Sequence, residues 1–196
     1  MLNASKVFAA LPAALPIAFF ISASAFGADA QQKLVPAQSE IVFVSKQMGV
    51  PVEGRFRKFD AQISFDAARL DASKVSFTVD MGSATLGAPE TDAELPKPNW
   101  FNLVKFPQAM FASSGIKALG GGKFEVTGKL SIKGQTRDVV VPVSMVQTGA
   151  ATTATGVLPI KRLAFRIGEN EWADTSMVAD DVQVKFKFNL TGVGKL

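Results

Sequence analysis

Glu169, Glu171 and Asp174 fall in one short stretch, and Asp180-Asp181 follow closely. Paired carboxylates can serve as acid and base in glycoside hydrolysis, or bind calcium through oxygen. No D-x-D-x-D-G spacing accompanies them, and acids in loops are ordinarily solvated. The chain contains no histidine, cysteine or tyrosine. A Ser-His-Asp triad, a Cys-His pair and a His or Cys zinc site are therefore excluded. Any hydrolytic or metal chemistry would rest on carboxylates, lysine or serine. No catalytic residue and no metal ligand is assigned, and an enzyme acting through the acidic loop around Glu169 and Asp174 stands as the alternative. Asn189-Leu190-Thr191 has the glycosylation form but falls within a strand pattern and carries no weight.

Aromatic residues are the other group with a capacity. The chain has 16 phenylalanines, and 12 remain outside the first 30 residues. They are large apolar bodies without a polar handle. Phe43, Phe56, Phe59, Phe77, Phe111, Phe124, Phe165, Phe186 and Phe188 sit on strand-like stretches, together with Val126 and Leu130. Trp100, Phe101 and Phe106 sit on an irregular stretch. An apolar ligand tunnel and an ordinary core use the same residue types, so alternation alone does not separate them.

The elements that must position these side chains are strands. In residues 122–133, Phe124, Val126, Leu130 and Ile132 share one parity, and Glu125, Thr127, Lys129, Ser131 and Lys133 the other. That period of two predicts a strand with one dry and one wet face. Gly128 interrupts the dry face and suits a bend or a close backbone approach. Lys133-Gly134-Gln135-Thr136 predicts a hairpin turn, with Val139, Val141, Val143 and Met145 inward on the return strand. Residues 181–193 alternate most cleanly, with Val182, Val184, Phe186, Phe188 and Leu190 dry. Further strands are predicted over residues 41–44, 52–65, 73–81, 109–118 and 154–165, the last kinked at Pro159. The apolar parity of residues 52–65 changes phase between Phe56 and Phe59, which predicts a bulge near Arg57-Lys58.

Residues 82–106 break the alternation. Pro89 and Pro96 bracket about two predicted helical turns, and the aromatics follow. A long insertion of this kind inside a β chain predicts a cap over one end. The fold class is all-β: about eight antiparallel strands in a barrel with a short helical cap insertion, a closed sandwich being the competing architecture.

Lys6, the apolar residues 7–26 and Ala28-Asp29-Ala30 form a secretory signal with cleavage at Ala30. Residues 1–30 are thus a signal peptide and residues 31–196 one domain, exported and periplasmic. With no cysteine, the core alone must hold that domain together. The net charge of +4 is spread as single lysines on wet faces. No basic run points to nucleic acid, and weak attraction to anionic membrane surfaces is the residual possibility.

Several stretches resemble the YceI-like family of exported lipid-binding proteins. They are Val52-Glu53-Gly54-Arg55-Phe56-Arg57-Lys58-Phe59, Asp92-Ala93-Glu94-Leu95, Trp100-Phe101-Asn102, Lys105-Phe106-Pro107, and the run from Phe124 through Gly134. The resemblance covers nearly the whole predicted domain. It implies an extended eight-stranded, lipocalin-like barrel that holds a polyisoprenoid chain, with no catalytic apparatus and no cofactor beyond that lipid or a quinone. The family often has histidine where this chain has Gln47 and Glu94, so any metal or proton role of those histidines does not carry over. Arg162-Leu163-Ala164-Phe165-Arg166-Ile167-Gly168 with Glu171-Trp172-Ala173-Asp174 resembles the branch that accompanies membrane b-type cytochromes, which points to a quinone as the isoprenoid. Candidate partners are therefore the lipid, a membrane b-type cytochrome and a second copy in a homodimer.

The expected function is non-catalytic binding and transport of a long isoprenoid lipid, with Phe43, Phe56, Phe59, Phe77, Trp100, Phe101, Phe106, Phe111, Phe124, Val126, Leu130, Phe165, Phe186 and Phe188 as ligand-binding residues. A ligand-free interaction module at the membrane surface is a further alternative. A wall of phenylalanine and valine offers a guest almost no polarity, so the affinity is expected to follow tail length and to be nearly blind to the head group.

Overall fold

The structure, a computed structural model, describes residues 32–196. The signal segment and its cleavage after Ala30 lie outside these residues.

A single curled antiparallel sheet of eleven strands forms the body. Its strands are β1 (Lys33–Leu34), β2 (Glu40–Gln47), β3 (Val50–Phe56), β4 (Phe59–Ser64), β5 (Lys74–Asp80), β6 (Ala84–Thr85), β7 (Gln108–Gly120), β8 (Lys123–Ile132), β9 (Gln135–Thr148), β10 (Ala151–Lys161) and β11 (Asp181–Thr191). The hydrogen-bonded order is β4-β5-β7-β8-β9-β10-β11-β2-β3-β6, and β1 pairs with β11 beside that path.

The expected count of eight is corrected to eleven for two reasons. β1 and β6 are two residues long, too short for any periodic signal. The single strand expected over residues 52–65 divides at Arg57-Lys58. Its first part pairs with β2 and its second with β5. The phase change near Arg57-Lys58 is thus a corner and not a bulge: the chain passes there from one end of the sheet to the other, which curls the sheet round a common interior. Ser83 holds the corner, accepting from the amides of Arg57 and Lys58 on its Oγ at 3.1 and 3.0 Å. The bulges that do form are in β7, between Ser113 and Gly115 and between Ala118 and Gly120.

The β8–β9 hairpin closes on Lys133-Gly134, both in the left-handed region at φ 47° and 75°, as a two-residue hairpin turn that matches strand twist requires. Pro159 pairs only with β11, because the ladder between β9 and β10 ends at Gly156 opposite Val143. The missing amide therefore breaks no central ladder. β10 stops at Lys161, and Arg162–Phe165 form a 3-10 turn where strand was expected. The insertion of residues 82–106 carries one helical turn, α1 (Pro89–Asp92), shorter than the two turns expected.

Inward parity from β2, β8, β9 and β11 fills the interior. Apolar side chains concentrate at its two ends. One cluster holds Leu34, Phe65, Phe124, Met145, Phe188 and Leu190. The other lies under the cap and holds Met81, Leu95, Phe101, Ile132, Phe165 and Ile167.

Candidate functional site

Between these clusters the sheet encloses a cavity of about 410 Å³. Its wall is built by period-two alternation. Ile41 and Phe43 come from β2, Val75, Phe77 and Val79 from β5, Phe124, Val126, Leu130 and Ile132 from β8, and Val141, Val143 and Met145 from β9. All five dry positions of β11, Val182, Val184, Phe186, Phe188 and Leu190, face it as well. A stack of three rings forms one side: Phe188 lies 4.6 Å from Phe77 and 4.9 Å from Phe186, centroid to centroid, both nearly parallel.

Of the residues expected to contact a ligand, Phe43, Phe56, Phe77, Trp100, Phe101, Phe111, Phe124, Val126, Leu130, Phe186 and Phe188 line the cavity. Three do not. Phe59 is on the inner face, opposite Val79, but packs into the interior cluster with its ring 5.9 Å from that of Phe188 and does not reach the cavity. Phe106 lies against Gly134 at the hairpin turn. Phe165 is 2% exposed and belongs to the cluster under the cap, because the chain has left strand geometry there and the alternation no longer applies.

The cap and the loop between β10 and β11 close one end together. Leu86, Leu95, Trp100 and Phe101 reach the cavity from the cap, and Ile167, Trp172 and Val178 from the loop. Asn99 fastens the two. Its carbonyl accepts from the amides of Gly168 and Glu169, and its side chain donates to Glu171 and accepts from Asn170. The rings of Trp100 and Trp172 meet at 5.5 Å. Asp92 anchors the cap from below. It accepts from Thr85 Oγ1 and the Leu86 amide, each at 2.6 Å, and these bonds hold its carboxyl below the usual range.

Arg162 is the organiser of this end, and strand periodicity gave no sign of it. It is 2% exposed and lines the cavity. Its guanidinium donates to five main-chain carbonyls: Ala179, Ile167, Gly168, Trp172 and Val178. Burial pushes the group downward, and the charge of Asp180 opposes that. Every donor of the guanidinium fork is satisfied by loop backbone, so the charge holds the loop and is not offered to a ligand.

The acidic residues are engaged in the same structural task. Glu169 accepts from Arg166 Nε at 2.8 Å and from Lys133 Nζ at 3.1 Å. Arg166 first, and Lys133 after it, hold its carboxyl below the ordinary range. Lys133 is nearly buried and also donates to the Arg166 carbonyl. Glu171 accepts from Asn99, and Asp174 from the Ser176 amide and hydroxyl. Among the described residues no three acids, histidines or cysteines converge in a way that could hold a metal.

The arrangement is an apolar chamber with one structured lid. The sequence model of the YceI-like domain matches residues 32–190. The chain belongs to the YceI-like family. A UPF0312 protein of Azotobacter vinelandii is 38% identical over 96 residues, covering 49% of this chain and 50% of that protein. The YceI-like chain thus spans about half the length of that relative. BcnA of Burkholderia cenocepacia, a solved structure, is 47% identical, with a TM-score of 0.77 over 80% of this chain and 98% of its own. A polyisoprenoid-binding domain from Saccharophagus degradans, implicated in plant cell wall breakdown, shares 16% identity and a TM-score of 0.66 over 82% of this chain and 98% of its own. That last likeness is one of fold.

Proposed function

We propose that this YceI-like protein binds a long isoprenoid lipid, a polyprenyl or quinone-like tail, inside the curled sheet, and carries it through the periplasm without changing it. The sheet then works as a lipocalin-like barrel, and the cavity-lining phenylalanines are its tail site. The observation that carries the reading is the chamber itself: about 410 Å³ enclosed almost wholly by aliphatic and aromatic side chains. Such a wall returns few hydrogen bonds to a polar guest, while each buried methylene contributes about 0.8 kcal/mol. Association costs of about 4–15 kcal/mol take back much of that gain, so several isoprene units must be buried for firm binding.

The name of the Saccharophagus neighbour supports an isoprenoid ligand. The structural partners of Glu169, Glu171 and Asp174 support binding over catalysis. No feature of the described residues speaks for a cytochrome partner or a homodimer.

Organic extraction of protein purified from its native compartment, followed by mass spectrometry, tests the reading. An isoprenoid at near-stoichiometric occupancy is expected, and tails shortened one unit at a time should bind progressively worse. A protein that carries no lipid, or an affinity independent of tail length, would overturn it. N-terminal sequencing of the same preparation should begin close to Gln31, and a retained leader would argue against a free periplasmic carrier.

A further inference from the structure

The cavity wall is not uniform. Its polar side chains are Ser45, Gln47, Thr91, Glu94 and Arg162, and all five lie at the capped end. Ser45 and Gln47 continue the inward parity of β2 beyond Phe43, and Gln47 bridges Val178 of the loop. Thr91 and Glu94 belong to the cap. At the opposite end the wall is phenylalanine, methionine and leucine. A long amphiphile therefore has one orientation that leaves no polar atom against hydrocarbon.

Two atoms at the capped end are buried without a hydrogen-bond partner among the described residues: Ser45 Oγ and Trp100 Nε1. Both side chains face the cavity. Buried polar groups are nearly always paired, and each exception calls for an explanation. Arg162 spends its whole fork on carbonyls, and Asp92 and Asn99 are both engaged. Indole N–H can only donate, and a serine hydroxyl can donate. The two free groups therefore call for an acceptor brought by the guest.

We propose that Ser45 and Trp100 form a head-group subsite that takes a neutral oxygen acceptor, so that the lipid sits with its oxygenated end under the cap and its tail toward Phe124 and Phe188. This rests on the lipid-binding reading above and names the ligand class. An anionic head finds no free cation among the described lining residues. The guanidinium of Arg162 is consumed, and the carboxylate of Glu94, paired with Lys97, stands at the same end. A carbonyl or a hydroxyl meets the requirement, whereas a diphosphate would be buried without a countercharge. The expectation of indifference to the head group assumed a wall without polarity, and these residues remove that assumption.

The test is a competition at equilibrium. Purified, delipidated protein is incubated with an equimolar mixture of lipids that share one geranylgeranyl tail: a hydrocarbon, the alcohol, a naphthoquinone and the diphosphate. The bound fraction is extracted and its composition measured by mass spectrometry. A composition ratio does not change when part of the protein unfolds, so it reads selectivity directly. Wild-type protein should enrich the alcohol, the quinone or both about tenfold over the hydrocarbon, as one unmet buried hydrogen bond predicts. Which of them is enriched more separates a hydroxyl head from a carbonyl head. Ser45→Ala and Trp100→Phe should each lower the enrichment severalfold, and together bring it near unity, while hydrocarbon uptake persists. An unchanged ratio in the double variant, or preference for the diphosphate, would overturn the subsite while leaving the lipid chamber intact. Retention of none of the lipids would overturn both.

Discussion

The ring of Phe43 lies flat against the backbone of Gly54, its partner across the β2–β3 ladder. A Cβ on Gly54 would fall 2.2 Å from Phe43 Cζ. The same contact recurs twice round the sheet. Phe186 lies over Gly156, its ladder partner, and Phe111 over Gly128. All three rings line the cavity. Glycine at these positions lets a phenylalanine lie along the wall and not across the chamber. The free volume is therefore made by glycine as much as by phenylalanine.

Substitution at these glycines should separate cavity volume from stability. At Gly54 the three atoms nearest the added methyl all belong to the Phe43 ring, which can turn inward. Gly54→Ala is expected to cost about 1–3 kcal/mol and to shorten the longest tail that binds. At Gly156 the methyl would also meet the Pro142 carbonyl at 2.4 Å, which is backbone and cannot turn away. Gly156→Ala should therefore lose more stability than Gly54→Ala. Chemical denaturation of both variants, with tail-length profiles for Gly54→Ala, checks the order.

Arg162 holds the loop by five hydrogen bonds, and Gly168 makes room for it. A Cβ on Gly168 would lie 2.3 Å from Arg162 Nη1. Lysine has three donors on one centre and cannot reach carbonyls disposed round a planar fork. Loss of at least two charged hydrogen bonds, at about 1.5–3 kcal/mol each, predicts a fall of roughly 3 kcal/mol or more for Arg162→Lys. Gly168→Ala should give a similar defect by displacing the guanidinium, with added strain at its φ of 73°. Near-ultraviolet circular dichroism reports the loss directly, since Trp100 and Trp172 pack at this end. An unaltered aromatic spectrum in both variants would contradict the role given to Arg162.

Acid should loosen the same end. The carboxyl of Glu169 is held below its ordinary value of 4.5 by Arg166 and Lys133. A group with a depressed native pKa stabilises the fold above its unfolded pKa, and that contribution is lost as pH falls through the native value. Glu169→Gln is therefore expected to melt a few degrees lower than wild type at pH 7. The gap should narrow steadily as the pH is lowered below about 4.5. Melting curves from pH 7 to pH 3 give the comparison, and a gap that widened in acid would reverse the assignment.

A charge placed in the wall tests what fills the chamber. Phe124 is 6% exposed and meets Phe65 edge-on at 5.3 Å. Phe124→Asp would bury a carboxyl among hydrocarbon, where the charged form is strongly disfavoured. Lipid retention should fall sharply at neutral pH. Phe124→Leu keeps the apolar wall and should retain lipid, and far-ultraviolet circular dichroism of both variants separates lost binding from lost fold.

The features legible in residue order alone are local and periodic. Alternation in residues 122–145 and 181–193 placed Val126, Leu130, Phe124, Phe186 and Phe188 on the inner face, because a strand's side chains alternate whatever it pairs with. The prolines and aromatics of residues 82–106 marked a cap for the same local reason. Tertiary structure decided everything that depends on pairing at a distance. The phase change at Arg57-Lys58 was visible, but only the sheet order shows it to be the corner where the chain passes between the two ends of the sheet. Phe59 and Phe165 look like wall residues and Phe106 like a cap residue in one dimension, yet packing takes Phe59 and Phe165 into the two apolar clusters and Phe106 against Gly134. Arg162 and Trp100 lie outside the periodic strands, and parity puts Ser45 on the inner face without showing that its hydroxyl is unpaired, because a buried polar atom has meaning only through the partners that the fold brings to it or withholds.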